Sequence, residues 1–179
     1  TETISVTILE PAAPIALSTT QVDVLCFGFA TGSIDLSVSG GTSGYTYVWS
    51  NGATTQDLSG LTAGAYSVVV TDANGCTVNT SITITEPTIL TASSVITSPI
   101  LCSGGNAVIS ISATGGTSPY TGIGNFNAQA GTQSYTVTDA NGCIAQTNII
   151  VNQPGVLIAS SVVSQSIQCY GGTGQITIS

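Results

Sequence analysis

The chain has 179 residues, no Lys, Arg or His, and eight carboxylates, so its formal net charge at pH 7 is −8. No cationic side chain is available to neutralise phosphate or to attract an anionic membrane surface, which argues against nucleic-acid binding. Because 42% of the residues are hydrophobic, many of them Val and Ile in alternation, the composition predicts a packed β fold. No apolar run approaches the roughly 18 residues of a membrane span, so direct membrane insertion is not expected.

Prolines that follow short alternating strands divide the chain. The first strand stops at Glu10-Pro11, and the same ending returns at Glu86-Pro87 and at Gln153-Pro154. Since proline cannot donate to a β-ladder, each of these positions marks the end of a strand. The pattern predicts the last strand of a preceding repeat at 1–11, a repeat at 12–87, a shortened repeat at 88–154 and the first strands of a following repeat at 155–179. The chain is therefore expected to be part of a longer tandem array.

The first repeat contains the clearest strands. Three runs alternate apolar and polar residues as half-buried strands do: Ile34-Leu36-Val38, Tyr45-Tyr47-Trp49 and Tyr66-Val68-Val70. With about seven short strands per repeat and a turn every 8–12 residues, the pattern predicts an all-β fold of tandem immunoglobulin-like β-sandwich modules. A right-handed β-helix is the alternative, but its rungs would repeat at about 20–30 residues.

One hairpin turn occurs twice. Thr71-Asp72-Ala73-Asn74-Gly75-Cys76 returns unchanged 67 residues later, as Thr138 to Cys143. An Asn-Gly pair between alternating runs predicts a tight hairpin with a type I′ turn, in which both residues have positive φ. The predicted turn residues are Asp72, Asn74 and Gly75 in the first copy and Asp139, Asn141 and Gly142 in the second. Asn51-Gly52 predicts a similar turn.

The second repeat is shorter. The spacing of the boundary prolines falls from 76 to 67 residues, and most of the loss lies between Tyr120 and Tyr135, where Trp49, Leu58 and Leu61 of the first repeat have no counterpart. The deletion predicts a thinner core in this repeat.

The five cysteines follow the repeats. Cys26 and Cys76 bracket the first repeat and Cys102 and Cys143 the second, which predicts one disulfide within each module. Cys169 opens a third repeat, and its partner is expected beyond Ser179. Five buried free thiols are the alternative. Disulfide pairing implies an oxidising, extracellular compartment. The spacings fit no zinc motif, so neither a metal nor a cofactor is predicted.

One ordered set of residues runs through the first repeat: Cys26, Gly32-Ser33-Ile34-Asp35-Leu36, Gly40-Gly41, Tyr45-Thr46-Tyr47, Trp49-Ser50-Asn51-Gly52, Leu61, Gly64, Tyr66, Thr71-Asp72 and Asn74-Gly75-Cys76. This order closely resembles the SprB-type repeat, which occurs in tandem in large surface adhesins of gliding Bacteroidota, and it looks like a relative of PKD and other Ig-like stalk domains. The resemblance implies type IX secretion and display on the cell surface.

Candidate chemistry is sparse. Without His, Lys or Arg, a Ser or Cys nucleophile has no base, so no enzyme activity is predicted. Asp72 and Asp139 offer oxygen ligands for calcium together with Asn74 and Asn141, although turn capping explains them better.

Two further surface features stay open. Tyr45, Tyr47 and Trp49 form either a sugar-stacking face or, more readily, part of the core. Asn79 begins the N-glycosylation sequon Asn79-Thr80-Ser81.

The sequence thus predicts a stalk or filament segment of a secreted or cell-surface adhesin. Its expected partners are neighbouring repeats or copies of itself in a fibre. A carbohydrate-binding module that recognises surface or extracellular polysaccharide is the alternative, as is a spacer in a secreted carbohydrate-active enzyme.

Overall fold

A computed structural model describes residues 13–167, 169–171 and 173–178 of the chain. Within these residues the regular elements are thirteen β-strands: β1 Ala16–Val22, β2 Gly32–Ser39, β3 Thr46–Trp49, β4 Leu58–Leu61, β5 Gly64–Thr71, β6 Thr77–Ile84, β7 Thr91–Ser98, β8 Ala107–Thr114, β9 Gly124–Ala128, β10 Gly131–Thr138, β11 Ile144–Val151, β12 Ser161–Gln165 and β13 Gln175–Ile178. They form five sheets with the orders β1-β2-β4, β3-β5-β6, β7-β8-β9, β10-β11 and β12-β13. This part of the chain has no helix able to cross a membrane. The strand predicted at 1–11 lies outside the described residues.

The first two sheets enclose the main core. Alternation places Ile34 and Leu36 of β2 inward, and Val68 and Val70 of β5 do the same in the other sheet, all four being buried. Trp49 closes the cluster and is only 2% exposed. Two three-stranded antiparallel sheets around one apolar core form a β-sandwich, so the all-β, immunoglobulin-like fold predicted from the sequence is confirmed.

Side chains complete the edge of β2 where β4 is too short to pair. β4 pairs with β2 only between Gly32 and Ile34. Beyond it, the Leu36 N–H donates to Asp57 Oδ1 at 2.9 Å, and Gln56 Nε2 donates to the Leu36 carbonyl. The buried backbone groups of Leu36 are therefore satisfied without a third strand.

The contacts divide the chain into two compact units. Of the described residues, the first holds those up to Ala92 together with Ala113–Gly122 and Thr136–Ala145, and it contains the sandwich just described. The second holds Ser93–Ser112, Ile123–Tyr135 and the residues from Gln146 onward. In the second unit β8 pairs with β9 from Ala107↔Ala128 to Ile111↔Gly124, and Phe126 packs against Tyr135 with ring centroids 5.2 Å apart.

The β12–β13 hairpin has no cover on its apolar side within the described residues. Ile176 and Ile178 are 67% and 74% exposed, whereas Ile34 and Leu36, which hold the corresponding places in the first repeat, are 1% and 0% exposed. The hairpin thus has the sequence of core strands without a core around it.

Candidate functional site: a disulfide between a loop and a hairpin turn

The repeated turn has a different geometry from the one predicted. Gly75 N donates to the Asp72 carbonyl at 3.0 Å and Asp72 N donates to the Cys76 carbonyl at 2.9 Å, which leaves three residues in the loop between β5 and β6. Gly75 has a φ of 85°, while no residue other than glycine has positive φ in the described part of the chain. The predicted type I′ turn is therefore wrong, and the turn is a three-residue loop with a glycine bulge.

The Asp72 side chain explains this geometry. Its Oδ1 accepts hydrogen bonds from Asn74 N and Cys76 N, both at 2.9 Å, and its Oδ2 accepts one from Thr42 N at 3.0 Å. The bond from Thr42 N, followed by those from the turn itself, holds the pKa of the Asp72 carboxyl below its usual range although burial opposes the shift. The carboxylate thereby fixes the backbone that carries Cys76.

The second turn is built the same way. Asp139 Oδ1 accepts from Asn141 N and Cys143 N, both at 2.9 Å, and Oδ2 accepts from Thr117 N at 2.9 Å. Burial has the largest single influence on this carboxyl and raises its pKa, but the backbone bonds together outweigh it, so the pKa is lowered.

These contacts favour turn capping over calcium binding at Asp72 and Asp139. The carboxylate oxygens of both residues already accept backbone N–H groups, and the side chains are only 5% and 6% exposed. The described residues contain no group of three or more potential metal ligands.

The other half of the site is the loop that connects β1 to β2 and carries Cys26. Val24 N donates to the Thr85 carbonyl at 2.9 Å, and Gly28 N donates to Glu86 Oε2 at 2.6 Å. These bonds hold the loop against the end of β6.

A disulfide joins this loop to the second turn. Cys26 is bonded to Cys143, with a Cα–Cα distance of 5.7 Å and a sequence separation of 117 residues. Beside it, Asn141 Nδ2 donates to the Leu25 carbonyl at 2.9 Å and to Thr117 Oγ1 at 3.0 Å. We call this arrangement of loop, turn, disulfide and Asn141 the joint.

The predicted bond between Cys26 and Cys76 is wrong for a geometric reason. Cys76 stands just before β6, whereas Cys26 lies in the loop fixed at the far end of β6. Eight residues of β-strand span about 25 Å, and a disulfide needs Cα atoms within about 7 Å. The length of strand β6, which follows Cys76 directly in the sequence, was the signal that could have shown Cys26 and Cys76 to lie far apart.

The predicted bond between Cys102 and Cys143 is wrong as well, because Cys143 is bonded to Cys26. Gly104 N, in the Cys102 loop, donates to Gln153 Oε1 at 3.1 Å, two residues after the end of β11, while Cys143 directly precedes the start of that strand. Cys76, Cys102 and Cys169 are free and exposed.

The remaining candidates lie apart from the joint. Trp49 is a core residue whose Nε1 donates to the Thr55 carbonyl at 2.8 Å, so it is not available for sugar stacking. Tyr45 and Tyr47 are half-buried. Asn79 lies on β6, with its side chain exposed.

Fold and joint together define an all-β, immunoglobulin-like protein stabilised by a disulfide. Residues 18–54 match the family model of the SprB repeat, which confirms the suspected resemblance over that stretch. No curated protein matches the chain.

Solved structures with a similar fold include one from a study of Dscam isoform specificity, 11% identical, covering 76% of this chain and 47% of that chain, with a TM-score of 0.33. The N-terminal eight Ig domains of Down Syndrome Cell Adhesion Molecule isoform 1.30.30 are 14% identical, with 84% of this chain and 22% of that chain covered and a TM-score of 0.31. The chain spans less than half the length of either structure. Both likenesses are too weak to carry an argument about this chain.

Proposed function

We propose that the chain is a structural stalk or filament segment of a secreted or cell-surface bacterial adhesin, built of tandem immunoglobulin-like repeats. The observation that supports the proposal is the disulfide between Cys26 and Cys143, which lie in the first and the second predicted repeat. A bond of this kind ties successive repeats to each other instead of closing each repeat on itself. Such a bond suits a stalk segment, because it limits how far the segment extends under tension.

The disulfide changes the path of a pulling force. Tension applied at the two ends of the chain reaches Cys26, crosses the sulfur atoms to Cys143 and continues from there. The residues between the two cysteines form a closed loop that bears no load while the bond is intact. At about 3.5 Å per extended residue, the 117 residues of that loop correspond to roughly 400 Å of hidden chain length.

Single-molecule force spectroscopy tests this role. The chain is held by handles at both ends and unfolded with and without a thiol reductant. We expect reduction to add about 400 Å of contour length, because it releases the loop. Two disulfides within the repeats would instead hide separate lengths of about 175 Å and 145 Å, and finding those, or no change on reduction, would refute the proposed load path.

Two double serine variants serve as controls for the force measurement. The C26S/C143S double variant is expected to show the long contour length without reductant. The C76S/C102S double variant is expected to behave like the unaltered chain, since both cysteines are free and exposed.

An oxidising environment is consistent with this proposal, since disulfides form and persist at cell surfaces and in secreted proteins. We also propose that the chain has no catalysis of its own, because the SprB repeat and the Ig-like fold are typical of structural and adhesive modules. Type IX secretion, a role in gliding and glycosylation at Asn79 remain predictions from the resemblance and the sequon. Binding of polysaccharide remains a prediction as well, and the burial of Trp49 does not favour it.

A further inference from the structure

Three hairpin turns of the chain share one backbone geometry and one residue pair. The pairs are Asn51-Gly52, Asn74-Gly75 and Asn141-Gly142. In this order, the glycine N–H donates to the carbonyl three residues earlier at 2.9, 3.0 and 3.1 Å, and the glycine φ is 86°, 85° and 83°. All three asparagine side chains are exposed. Backbone shape and access to water therefore do not distinguish the three asparagines.

The amide nitrogen of the asparagine side chain is held differently in each turn. Asn141 Nδ2 donates two hydrogen bonds, one to a threonine hydroxyl and one to the Leu25 carbonyl. Asn74 Nδ2 donates one, to Thr42 Oγ1 at 2.8 Å. For Asn51 Nδ2 no acceptor is found in the part of the chain that the structure describes, where the side chain is bound only through its oxygen. The number of hydrogen bonds from the amide nitrogen thus falls from the third turn to the first.

The oxygen of Asn51 has a task that a carboxylate performs in the other two turns. There, the aspartate that begins the turn accepts the last backbone N–H of the loop through its Oδ1. Trp49 stands in that place in the first turn, and Asn51 Oδ1 accepts the equivalent N–H, from Ala53 N at 3.1 Å. Since only Gly52 separates Asn51 from Ala53, the bond closes a ring that contains the Gly52 nitrogen.

An Asn-Gly pair can lose ammonia without an enzyme. The glycine nitrogen gives up its proton to water or hydroxide and attacks the asparagine Cγ, while the bond from Cγ to Nδ2 breaks and ammonia leaves. The product is a five-membered succinimide. Water then opens this ring at either carbonyl, which gives aspartate or isoaspartate.

The contacts of the side chain affect the first of these steps. Negative charge develops on Oδ1 as the nitrogen attacks, so a backbone N–H that already donates to this oxygen stabilises the transition state. Hydrogen bonds from Nδ2 act in the opposite direction, because they must break before the carboxamide can turn toward the glycine nitrogen. The first turn has the favourable bond and lacks the unfavourable ones, whereas the other two turns have the reverse.

We propose that Asn51 is a site of spontaneous deamidation, and that the rate falls in the order Asn51, Asn74, Asn141. Each event replaces a neutral amide by a carboxylate and so adds one negative charge to the formal −8 of the chain. Because the reaction needs only water, the modified fraction grows with the time since synthesis. The modification is independent of the proposed stalk role.

A timed incubation of the unaltered chain tests the proposal. Samples held at mildly alkaline pH are digested with pepsin in acid, and tandem mass spectrometry locates the mass gain that follows when OH replaces NH2. We expect deamidation at Asn51 to be about tenfold faster than at Asn74, with Asn141 the slowest. A synthetic peptide of residues 48–54 gives the rate of the same pair without the fold.

Two results would overturn the proposal. One is a rate at Asn74 or Asn141 that equals or exceeds the rate at Asn51. The other is an Asn51 that stays intact in the folded chain over a period in which the peptide reacts, since the turn would then protect the pair.

A substitution tests the role of the amide nitrogen directly. Thr42→Val removes the acceptor of Asn74 Nδ2 and keeps the backbone N–H that donates to Asp72 Oδ2. It is expected to raise the deamidation rate at Asn74 about fivefold and to leave Asn51 unchanged. Thr46→Val, at an exposed threonine of β3, is the matched control and should change neither rate. An Asn74 rate that Thr42→Val leaves unaltered would show that this hydrogen bond does not set the order.

Discussion

Residues 13–87 and residues 88–154, the two predicted repeats, share the turn that carries a cysteine but fill their cores differently. Residues 13–87 bury ten apolar side chains, including Trp49, whereas residues 88–154 bury seven, of which two are alanines. The strand that carries Trp49 in the first repeat is reduced in the second to a single bridge between Thr121 and Thr138. Strand β9, in contrast, pairs with β8 at five residue pairs, whereas β4 pairs with β2 at only three.

What both repeats share is the framework around the cysteines. The Asp-centred turn has the same bond lengths to within 0.1 Å in both copies. The tyrosine that follows each Gly-Gly pair also donates to the carbonyl of the first glycine, from Tyr45 to Gly40 and from Tyr120 to Gly115. The two copies thus differ more in their cores than in the backbone geometry that presents the sulfur atoms.

Removing the joint should have the largest effect on stability. For a closed loop of 117 residues, the loop-entropy model assigns the Cys26–Cys143 disulfide about 5 kcal/mol. The C26S/C143S variant is expected to lose a comparable part of its free energy of unfolding in urea, measured by circular dichroism. The C76S/C102S variant is the control and should change by less than about 0.5 kcal/mol, because both side chains are exposed. Equal losses in the two double variants would show that the bond does not stabilise the fold.

The difference between the cores predicts a second, smaller effect. Trp49→Ala removes the largest fully buried side chain and should cost about 3–5 kcal/mol. Phe126→Ala removes a half-buried ring, whose main partner is Tyr135, and should cost about 1–2 kcal/mol. Urea unfolding followed by circular dichroism is suitable, since it does not depend on tryptophan fluorescence. A cost at Phe126 equal to that at Trp49 would mean that the second repeat has a core as extensive as the first.

The shared turn predicts equal costs in the two repeats. Gly75 and Gly142 have φ values of 85° and 83°, and a Cβ at either position would meet no atom within 4 Å. Replacing each by alanine should therefore cost only the left-handed backbone penalty, roughly 1–2 kcal/mol. Thermal unfolding of the two single variants measures it. A clearly larger loss at Gly142 would reveal strain that the disulfide imposes on the second turn.

The sequence was a sound guide to the strands, because alternation acts locally. Ile34, Leu36, Val68 and Val70 are buried as their period predicts, and the deletion around Tyr120 does thin the core. The disulfide partners could not be predicted in the same way, since pairing depends on which end of a strand each cysteine occupies. Cys26 and Cys76 bracket a repeat in sequence, yet the length of β6 keeps them apart in space. The turn type was missed because the Asp72 side chain, and not the Asn-Gly pair, determines it.

Acid should weaken both repeats through the same group, and this is the smallest of the expected effects. The folded-state pKa values of Asp72 and Asp139 are lowered, so the stability that each carboxylate adds is present above its unfolded pKa, near 3.9, and is lost as the pH falls through the folded value. The thermal midpoint should be flat from pH 7 to 5 and fall below pH 4. Asp72→Asn and Asp139→Asn should each lower the midpoint at pH 7 and flatten its fall, because an amide offers one acceptor oxygen where the carboxylate uses two.

Asp23, an exposed carboxylate whose Oδ1 accepts a hydrogen bond from Thr85 N at 2.8 Å, also has a lowered pKa, and Asp23→Asn serves as the comparison. If Asp23→Asn flattened the acid transition as much as either turn variant, the hydrogen bond between Asp23 and Thr85 would contribute as much to the acid response as the turn carboxylates, contrary to this expectation.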